Sequence, residues 1–129
     1  MLATTFDQDE ETYFGYSVDD FRELLITAQN NINKAGIGEK IVKAIAPNLK
    51  EYLTTDDILI QSNVYLRGAR PKHVSKHENI GWHRETFYGS GMEKAVNIWT
   101  PLKGVCEANT LMYIPGSQNI PDDEILVEH

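Results

Sequence analysis

Residues 80–89 read IGWHRETFYG and place a histidine and a carboxylate two positions apart. Residues 80–87 form a strand candidate, and side chains on a strand alternate between its two faces. His83 and Glu85 would then point the same way while Arg84 turns away. An imidazole nitrogen and a carboxylate oxygen side by side are two of the three ligands that hold Fe(II) in non-haem oxygenases. The spacing therefore makes His83 and Glu85 candidate metal ligands.

Strand-like patterns occur on both sides of this segment. Upstream, apolar and polar residues alternate over residues 58–67, as is typical of a long strand. Downstream, residues 95–100 and 109–114 are further strand candidates, separated from their neighbours by glycine-containing turns. These patterns predict a strand-rich part over about residues 57–129.

The first half of the chain has the pattern of helices. Ser17 with Asp20 three residues later resembles a capping box, and an apolar stripe follows until Gly36, where the helix is expected to stop. The stripe consists of Phe21, Leu24, Leu25, Ala28 and Ile32. A second helix is expected over residues 39–46, with Pro47 as a kink or as the start of a continuation to residue 53. The helical layer is thus predicted over about residues 17–53.

Together these patterns predict an α+β fold. A double-stranded β-helix, or jelly-roll barrel, with the N-terminal helices packed on it is inferred from the motif at residues 83–85. Such a barrel, even an incomplete one, would let metal ligands from different strands converge in one cavity. A chain of 129 residues fits a single domain over residues 1–129.

Composition excludes several classes of protein. A chain that is 41% hydrophobic and 24% charged is typical of a globular protein, and no run approaches the roughly 18 apolar residues of a membrane span. The formal charge of −7 argues against a nucleic acid or an anionic membrane as the partner. A lone Cys106 leaves no internal disulfide and predicts a cytoplasmic location.

The motifs resemble the phytanoyl-CoA dioxygenase-like family of Fe(II)/2-oxoglutarate oxygenases. Trp82-His83-Arg84-Glu85 stands where that family usually has W-H-x-D, residues 97–102 match the strand that follows, and residues 109–118 match its N-G-x-L…P-G-S-H segment. The resemblance covers residues 61–118, less than half of the chain. Glu85 replaces the usual Asp. Gln118 stands in place of a His that is generally not an iron ligand in the family.

The resemblance implies a dioxygenase that hydroxylates a small metabolite, with Fe(II) and 2-oxoglutarate as cofactors and His83 and Glu85 as metal ligands. The phrase WHRETFYG also resembles family members from bacterial carbohydrate-biosynthesis clusters, which suggests a sugar-related substrate. Two sets of residues that share a strand face are candidates to line the cavity. One set is Asn63, Tyr65 and Arg67, and the other is Asn97 and Trp99. Arg67 is the candidate for the substrate, and the other four residues are candidates for the cosubstrate.

The rest of the family's site is not found in the sequence. The third ligand, a His expected tens of residues further on, and the Arg that grips 2-oxoglutarate have no match, and His129 at the end of the chain is a poor substitute. We therefore expect an oxygenase-like domain that is truncated at its C-terminus. A neighbouring subunit is a further source of the third ligand, because the open sheet edges of a half barrel favour homo-oligomers.

Simpler interpretations stay open beside these. His83 and Glu85 fit a polar cluster, with Arg84 in a surface ion pair. The basic residues 67–77 fit either a solvated loop or an anion-binding lid. For the chain as a whole, the alternative is a non-catalytic barrel that binds a small acidic ligand or a partner subunit.

Overall fold

The structure is a computed structural model, and it describes residues 6–61, 63–76, 78, 81–88 and 95–125. In this part of the chain, helix α1 spans Glu10–Phe14, α2 spans Val18–Lys34 and α3 spans Ile37–Leu53. Short 3-10 turns occupy Glu85–Tyr88, Ser117–Asn119 and Asp122–Glu124. The chain divides into two compact units, Met1–Asn79 and Ile80–His129. None of the described helices is long and apolar enough to cross a lipid bilayer.

Helix α2 forms as the sequence predicts. The hydroxyl of its N-cap residue, Ser17, accepts a hydrogen bond from the backbone N–H of Asp20 at 3.0 Å and donates one to the Asp20 carboxylate at 2.7 Å. This satisfies a backbone donor that the first helical turn would otherwise leave without a partner. Phe21, Ala28 and Ile32 from the predicted stripe are buried. These three side chains, with Tyr13 of α1, form the apolar core of the first unit.

Helix α3 follows α2 after a two-residue link. Gly36 adopts φ +62°, a left-handed conformation that glycine takes without steric cost, and α3 begins at the next residue. The helix then runs without interruption through Pro47 to Leu53. The sequence left open a kink or a new helical start at Pro47, and the new start is wrong because the helix is continuous there. A proline removes one backbone donor from a helix, and the rest of the α3 ladder tolerates the loss.

The segment 64–70 runs antiparallel along α2. The side chain of Asn33 accepts from the backbone N–H of Val64 at 2.9 Å and donates to its carbonyl at 3.4 Å, while Gln29 accepts from the N–H of Leu66 at 3.0 Å. Gly68 packs against Leu25, since a Cβ there would lie 2.7 Å from Leu25 Cδ2. Successive contacts are four residues apart on α2 and two residues apart on the segment. These distances match, because four helical residues rise about 6 Å and two extended residues about 6.6 Å. Helix side chains thus take the place of a neighbouring strand.

This pairing explains the alternation seen in the sequence. Residues 64, 66, 68 and 70 are at least half-buried against α2, and residues 63, 65, 67 and 69 are exposed. The period of two predicted over residues 58–67 is therefore present where that range overlaps this segment, at residues 64–67. Its inner face contacts a helix instead of contributing to a sheet.

The predicted fold class is wrong. The described residues contain no β-strand, and therefore neither the β layer of an α+β fold nor a double-stranded β-helix or jelly-roll barrel. Residues 64–67 of the candidate at 58–67 lie beside α2, and residues 85–87 of the candidate at 80–87 lie in the 3-10 turn Glu85–Tyr88. Residues 95–100 and 109–114 are exposed throughout. A strand exists only with a neighbour to complete its hydrogen-bond ladder, and these segments have none among the described residues.

A buried ion pair closes the first unit. The side chains of Arg70 and Glu78 are only 3% and 11% exposed, and Nε of Arg70 donates to the Glu78 carboxylate at 2.8 Å. The backbone N–H of Arg70 donates to the same carboxylate at 2.8 Å. Its Nη1 donates to the carbonyls of Tyr13 at 3.1 Å and Tyr16 at 2.6 Å, and its guanidinium lies 4.5 Å above the ring of Phe21. One side chain therefore joins α1, α2 and the segment 64–70.

Burial alone would raise the pKa of the Glu78 carboxyl. The hydrogen bonds from Arg70 and its positive charge outweigh this effect and hold the pKa below its ordinary value. The pair is therefore charged at neutral pH, and Glu78 satisfies both the backbone and the side chain of Arg70.

Candidate metal centre

His83 and Glu85 lie where the chain enters the 3-10 turn Glu85–Tyr88. Nε2 of His83 is 3.5 Å from Oε1 of Glu85, and the side chains are 31% and 46% exposed. The two groups that the sequence singled out are thus adjacent. They are brought together at the start of a turn, and not by the shared strand face that the sequence predicts.

A backbone carbonyl fixes the orientation of the His83 ring. Nδ1 of His83 is 2.8 Å from the carbonyl oxygen of Gly81. Because a carbonyl only accepts, we assign Nδ1 as the donor, so that Nε2 is the nitrogen facing Glu85. In the neutral imidazole Nε2 then carries a lone pair. Metal-binding histidines commonly donate their other ring N–H to a carbonyl or carboxylate in this way.

The geometry of this pair fits two adjacent positions on a metal ion. Two ligand atoms about 2.1 Å from a metal and at right angles to each other are about 3 Å apart. The measured 3.5 Å is close to that spacing. One imidazole nitrogen and one carboxylate oxygen also form a donor set that suits Fe(II).

The described residues supply two ligands and not three. No group of three or more His, Cys, Asp or Glu side chains in this part of the chain could hold a metal ion. His77 and His129 lie outside the described residues, so the poor prospect of His129 as a third ligand stays a prediction. His83 and Glu85 alone would fill two positions on a metal ion, and any further ligand would have to come from outside the described residues.

Arg84, between the two candidate ligands, binds a distant part of the second unit. Its Nη1 donates to the carbonyl of Ile120 at 2.7 Å and to the carboxylate of Asp122, and its Nη2 donates to the carbonyl of Ser117. The hydrogen bond from Arg84 holds the pKa of Asp122 below its ordinary value. The surface ion pair considered for Arg84 in the sequence therefore forms, with Asp122 48% exposed.

The other candidate residues are spread over both units. Asn63, Tyr65 and Arg67 share the exposed face of the segment beside α2, where Gln61 donates to the Tyr65 hydroxyl at 3.3 Å. Asn97 and Trp99 belong to the second unit and are exposed, Trp99 by 45%. Neither of these two has a hydrogen bond to the metal-ligand pair among the described contacts. Their roles as cosubstrate or substrate contacts stay predictions.

One positively charged residue of the basic segment 67–77 is buried. Arg70 is buried against Glu78, while Lys72, His73 and Lys76 are exposed. Backbone N–H groups of Val74 and Ser75 donate to the carbonyl of Pro71 and make a tight turn of this segment. No local pattern predicts this use of Arg70, because Glu78 follows eight residues later and the carbonyl partners come from the first 16 residues.

Comparison with family models, with curated proteins and with solved structures finds no match for this chain. The geometry of residues 81–85 and the sequence motifs are therefore the observations from which a function is argued.

Proposed function

We propose that this chain is an Fe(II)/2-oxoglutarate-dependent dioxygenase, or a fragment of one, that hydroxylates a small metabolite. The observation that carries the proposal is the His83–Glu85 pair, 3.5 Å apart, with the ring oriented by the Gly81 carbonyl. The resemblance of residues 82–85, 97–102 and 109–118 to the oxygenase family supports the same reading. The phrase WHRETFYG extends the proposal to a sugar-related substrate.

His83, Glu85 and Gly81 have different roles in the proposed site. His83 offers the Nε2 lone pair and Glu85 a carboxylate oxygen, while Gly81 keeps the proton on the far nitrogen of the ring. When bound, Fe(II) and 2-oxoglutarate supply the oxidising chemistry that hydroxylates a C–H bond and releases succinate and CO₂. The exposure of both side chains leaves room for a cosubstrate beside them.

The test is an anaerobic Fe(II) titration with and without 2-oxoglutarate, read by the visible charge-transfer band of the chelated cosubstrate. We expect a band in the native chain that is lost in His83→Ala and in Glu85→Gln. His73→Ala is the matched control, because His73 is exposed and lies in the first unit. A folded native chain that gives neither a band nor succinate in air would refute the proposal.

A second candidate function, partner binding, is favoured by the apolar surface of the second unit. Residues 95–102 and 109–116 contain no charged side chain. Large apolar side chains on them are 39–79% exposed. They are Val96, Ile98, Trp99, Leu102, Leu111, Met112, Tyr113 and Ile114. Exposed surfaces of this kind commonly mark interaction sites, and uncharged segments of β-branched and aromatic residues pair readily with copies of themselves.

We therefore propose a second copy of this chain as the partner. The measurement is sedimentation velocity over a range of concentrations, with Ile98→Asp and Tyr113→Asp expected to weaken association. Leu59→Asp, at a fully exposed position of the first unit, serves as the control. A native chain that stays monomeric at every concentration would rule this function out.

A further inference from the structure

Arg84 connects two of the three parts of the sequence that carry the oxygenase resemblance. It belongs to Trp82-His83-Arg84-Glu85, and it donates to the carbonyl of Ser117, in the segment Pro115-Gly116-Ser117-Gln118. The two segments are more than 30 residues apart in the chain. The guanidinium is therefore the physical link between them.

The carbonyls that Arg84 binds are presented by a defined turn. The backbone N–H of Ser117 donates to the carbonyl of Ile114 at 3.1 Å, with Pro115 and Gly116 at the two central positions. Gly116 has φ +83° and ψ −10°, which with the preceding proline is the pattern of a type II turn. The 3-10 turn Ser117–Asn119 follows directly and places the carbonyl of Ile120 on the same guanidinium.

Acceptors on three different residues bind the planar guanidinium of Arg84. A guanidinium presents its N–H donors in a fixed plane, so simultaneous bonds to Ser117, Ile120 and Asp122 define its position and orientation. Its side chain is only 19% exposed. The backbone of Arg84 is continuous with that of His83 and Glu85. The three hydrogen bonds of the guanidinium therefore restrain the backbone that carries both ligands.

We infer that Arg84 is a positioning residue that holds His83 and Glu85 in the geometry needed to bind a divalent metal. This inference rests on the proposed function, because it concerns the same two ligands. The guanidinium of Arg84 binds Ser117, Ile120 and Asp122, so we place its effect on the two ligands in the backbone that it restrains.

The experiment measures binding of Mn²⁺ and Co²⁺ to the full chain, at a temperature far below its thermal transition. In Arg84→Met, we expect Mn²⁺ affinity to fall about tenfold, a loss typical of groups that orient metal ligands. We also expect the visible spectrum of the Co²⁺-saturated chain to change, since it reports the arrangement of ligands around the ion. Arg22→Met makes the same change at an exposed position of the first unit and should alter neither.

Two milder variants decide the matter if Arg84→Met does not fold. Asp122→Asn removes the charge but keeps both carbonyl contacts, and Arg84→Lys keeps the charge but cannot bridge all three acceptors. We expect affinity to fall in the order native, Asp122→Asn, Arg84→Lys. Native affinity and an unchanged Co²⁺ spectrum in both variants would overturn the inference, even if thermal stability fell.

The two proposals fail in different ways. A native chain that binds neither ion refutes the metal site itself, and the positioning role with it. A native chain that binds Mn²⁺ through His83 and Glu85, with equal affinity in all Arg84 variants, leaves the metal site standing and refutes only the role of Arg84.

Discussion

Removal of the charge on Glu78 should destabilise the first unit strongly. The Arg70–Glu78 pair is almost fully enclosed, with side-chain exposures of 3% and 11%, so water cannot replace a lost partner. Breaking a buried ion pair from one side costs about 3–5 kcal/mol, most of it from the buried charge that remains. Glu78→Gln keeps an acceptor for one of the Arg70 bonds, and we therefore expect about 3 kcal/mol.

This loss is large against the stability of the unit. At roughly 0.05–0.15 kcal/mol per residue, the 79 residues of Met1–Asn79 would have an unfolding free energy of roughly 4–12 kcal/mol. The assay is urea unfolding followed by far-UV circular dichroism, which reports the helices of this unit. With a urea dependence of about 1–3 kcal/mol per molar, the midpoint should fall by about 1–3 M.

A matched control separates burial from charge. Glu39→Gln makes the same chemical change in the exposed Glu39–Lys43 pair of α3, where the side chains are 65% and 73% exposed. Exposed pairs of this kind contribute little, so the midpoint should hardly move. Equal shifts for Glu78→Gln and Glu39→Gln would refute the account of Arg70 as the side chain that joins the helices.

Three further predictions concern the same unit. Gly68→Ala should lower the unfolding free energy by about 1–3 kcal/mol, because the new Cβ would lie 2.7 Å from Leu25 Cδ2; urea unfolding measures this, and Gly15→Ala, with its nearest atom at 3.6 Å, is the control. Asn33→Ala should cost about 1–3 kcal/mol by leaving two backbone groups unpaired, whereas Asn30→Ala, at an exposed position, should not destabilise the helix. The pKa of Glu78 is depressed in the folded chain, so the carboxylate stabilises the fold above its ordinary pKa of 4.5, and this stabilisation is lost as the pH falls through the folded pKa. The difference in urea midpoint between the native chain and Glu78→Gln should therefore be constant at neutral pH and shrink in acid. A difference that grew in acid would contradict the depressed pKa.

Local signals in the sequence were sufficient for the two long helices, α2 and α3. The Ser17–Asp20 cap and the stripe through Phe21 and Ile32 act within one element, so they identify α2 without knowledge of its neighbours. Of the two interpretations of Pro47, a new helical start was wrong, because the loss of a single backbone donor does not end a helix that is otherwise continuous. Helix α1 was not predicted, since five residues are too few to show a helical period.

The strand patterns show the limit of such reasoning. The alternation predicted over residues 58–67 correctly indicates an inner and an outer face at residues 63–67, but it does not say whether the inner face meets a strand or a helix. Here the inner face meets a helix, because Gln29 and Asn33 of α2 bind the backbone of Leu66 and Val64. These contacts join residues more than 30 positions apart in the chain. A barrel inferred from a short motif therefore does not follow from the motif's residues.

The proximity of His83 and Glu85 was predicted from a shared strand face, and that reason does not hold. His83 and Glu85 are adjacent, as the spacing suggested, yet a turn and not a strand brings them together. The part played by Gly81 and Arg84 could not be read from the sequence. A backbone carbonyl leaves no compositional signal, and the partners of Arg84 lie more than 30 residues downstream.

The central claim is that His83 and Glu85 bind one metal ion, and paramagnetic broadening tests it most directly. The chain contains four histidines, so its ¹⁵N-labelled imidazole signals can be followed individually during a Mn²⁺ titration. At low Mn²⁺ the account predicts selective broadening of the His83 signals, with the Nε2 resonance affected before Nδ1, and loss of this effect in Glu85→Gln. Equal broadening of all four histidines, or broadening of His83 that persists unchanged in Glu85→Gln, would contradict a shared site.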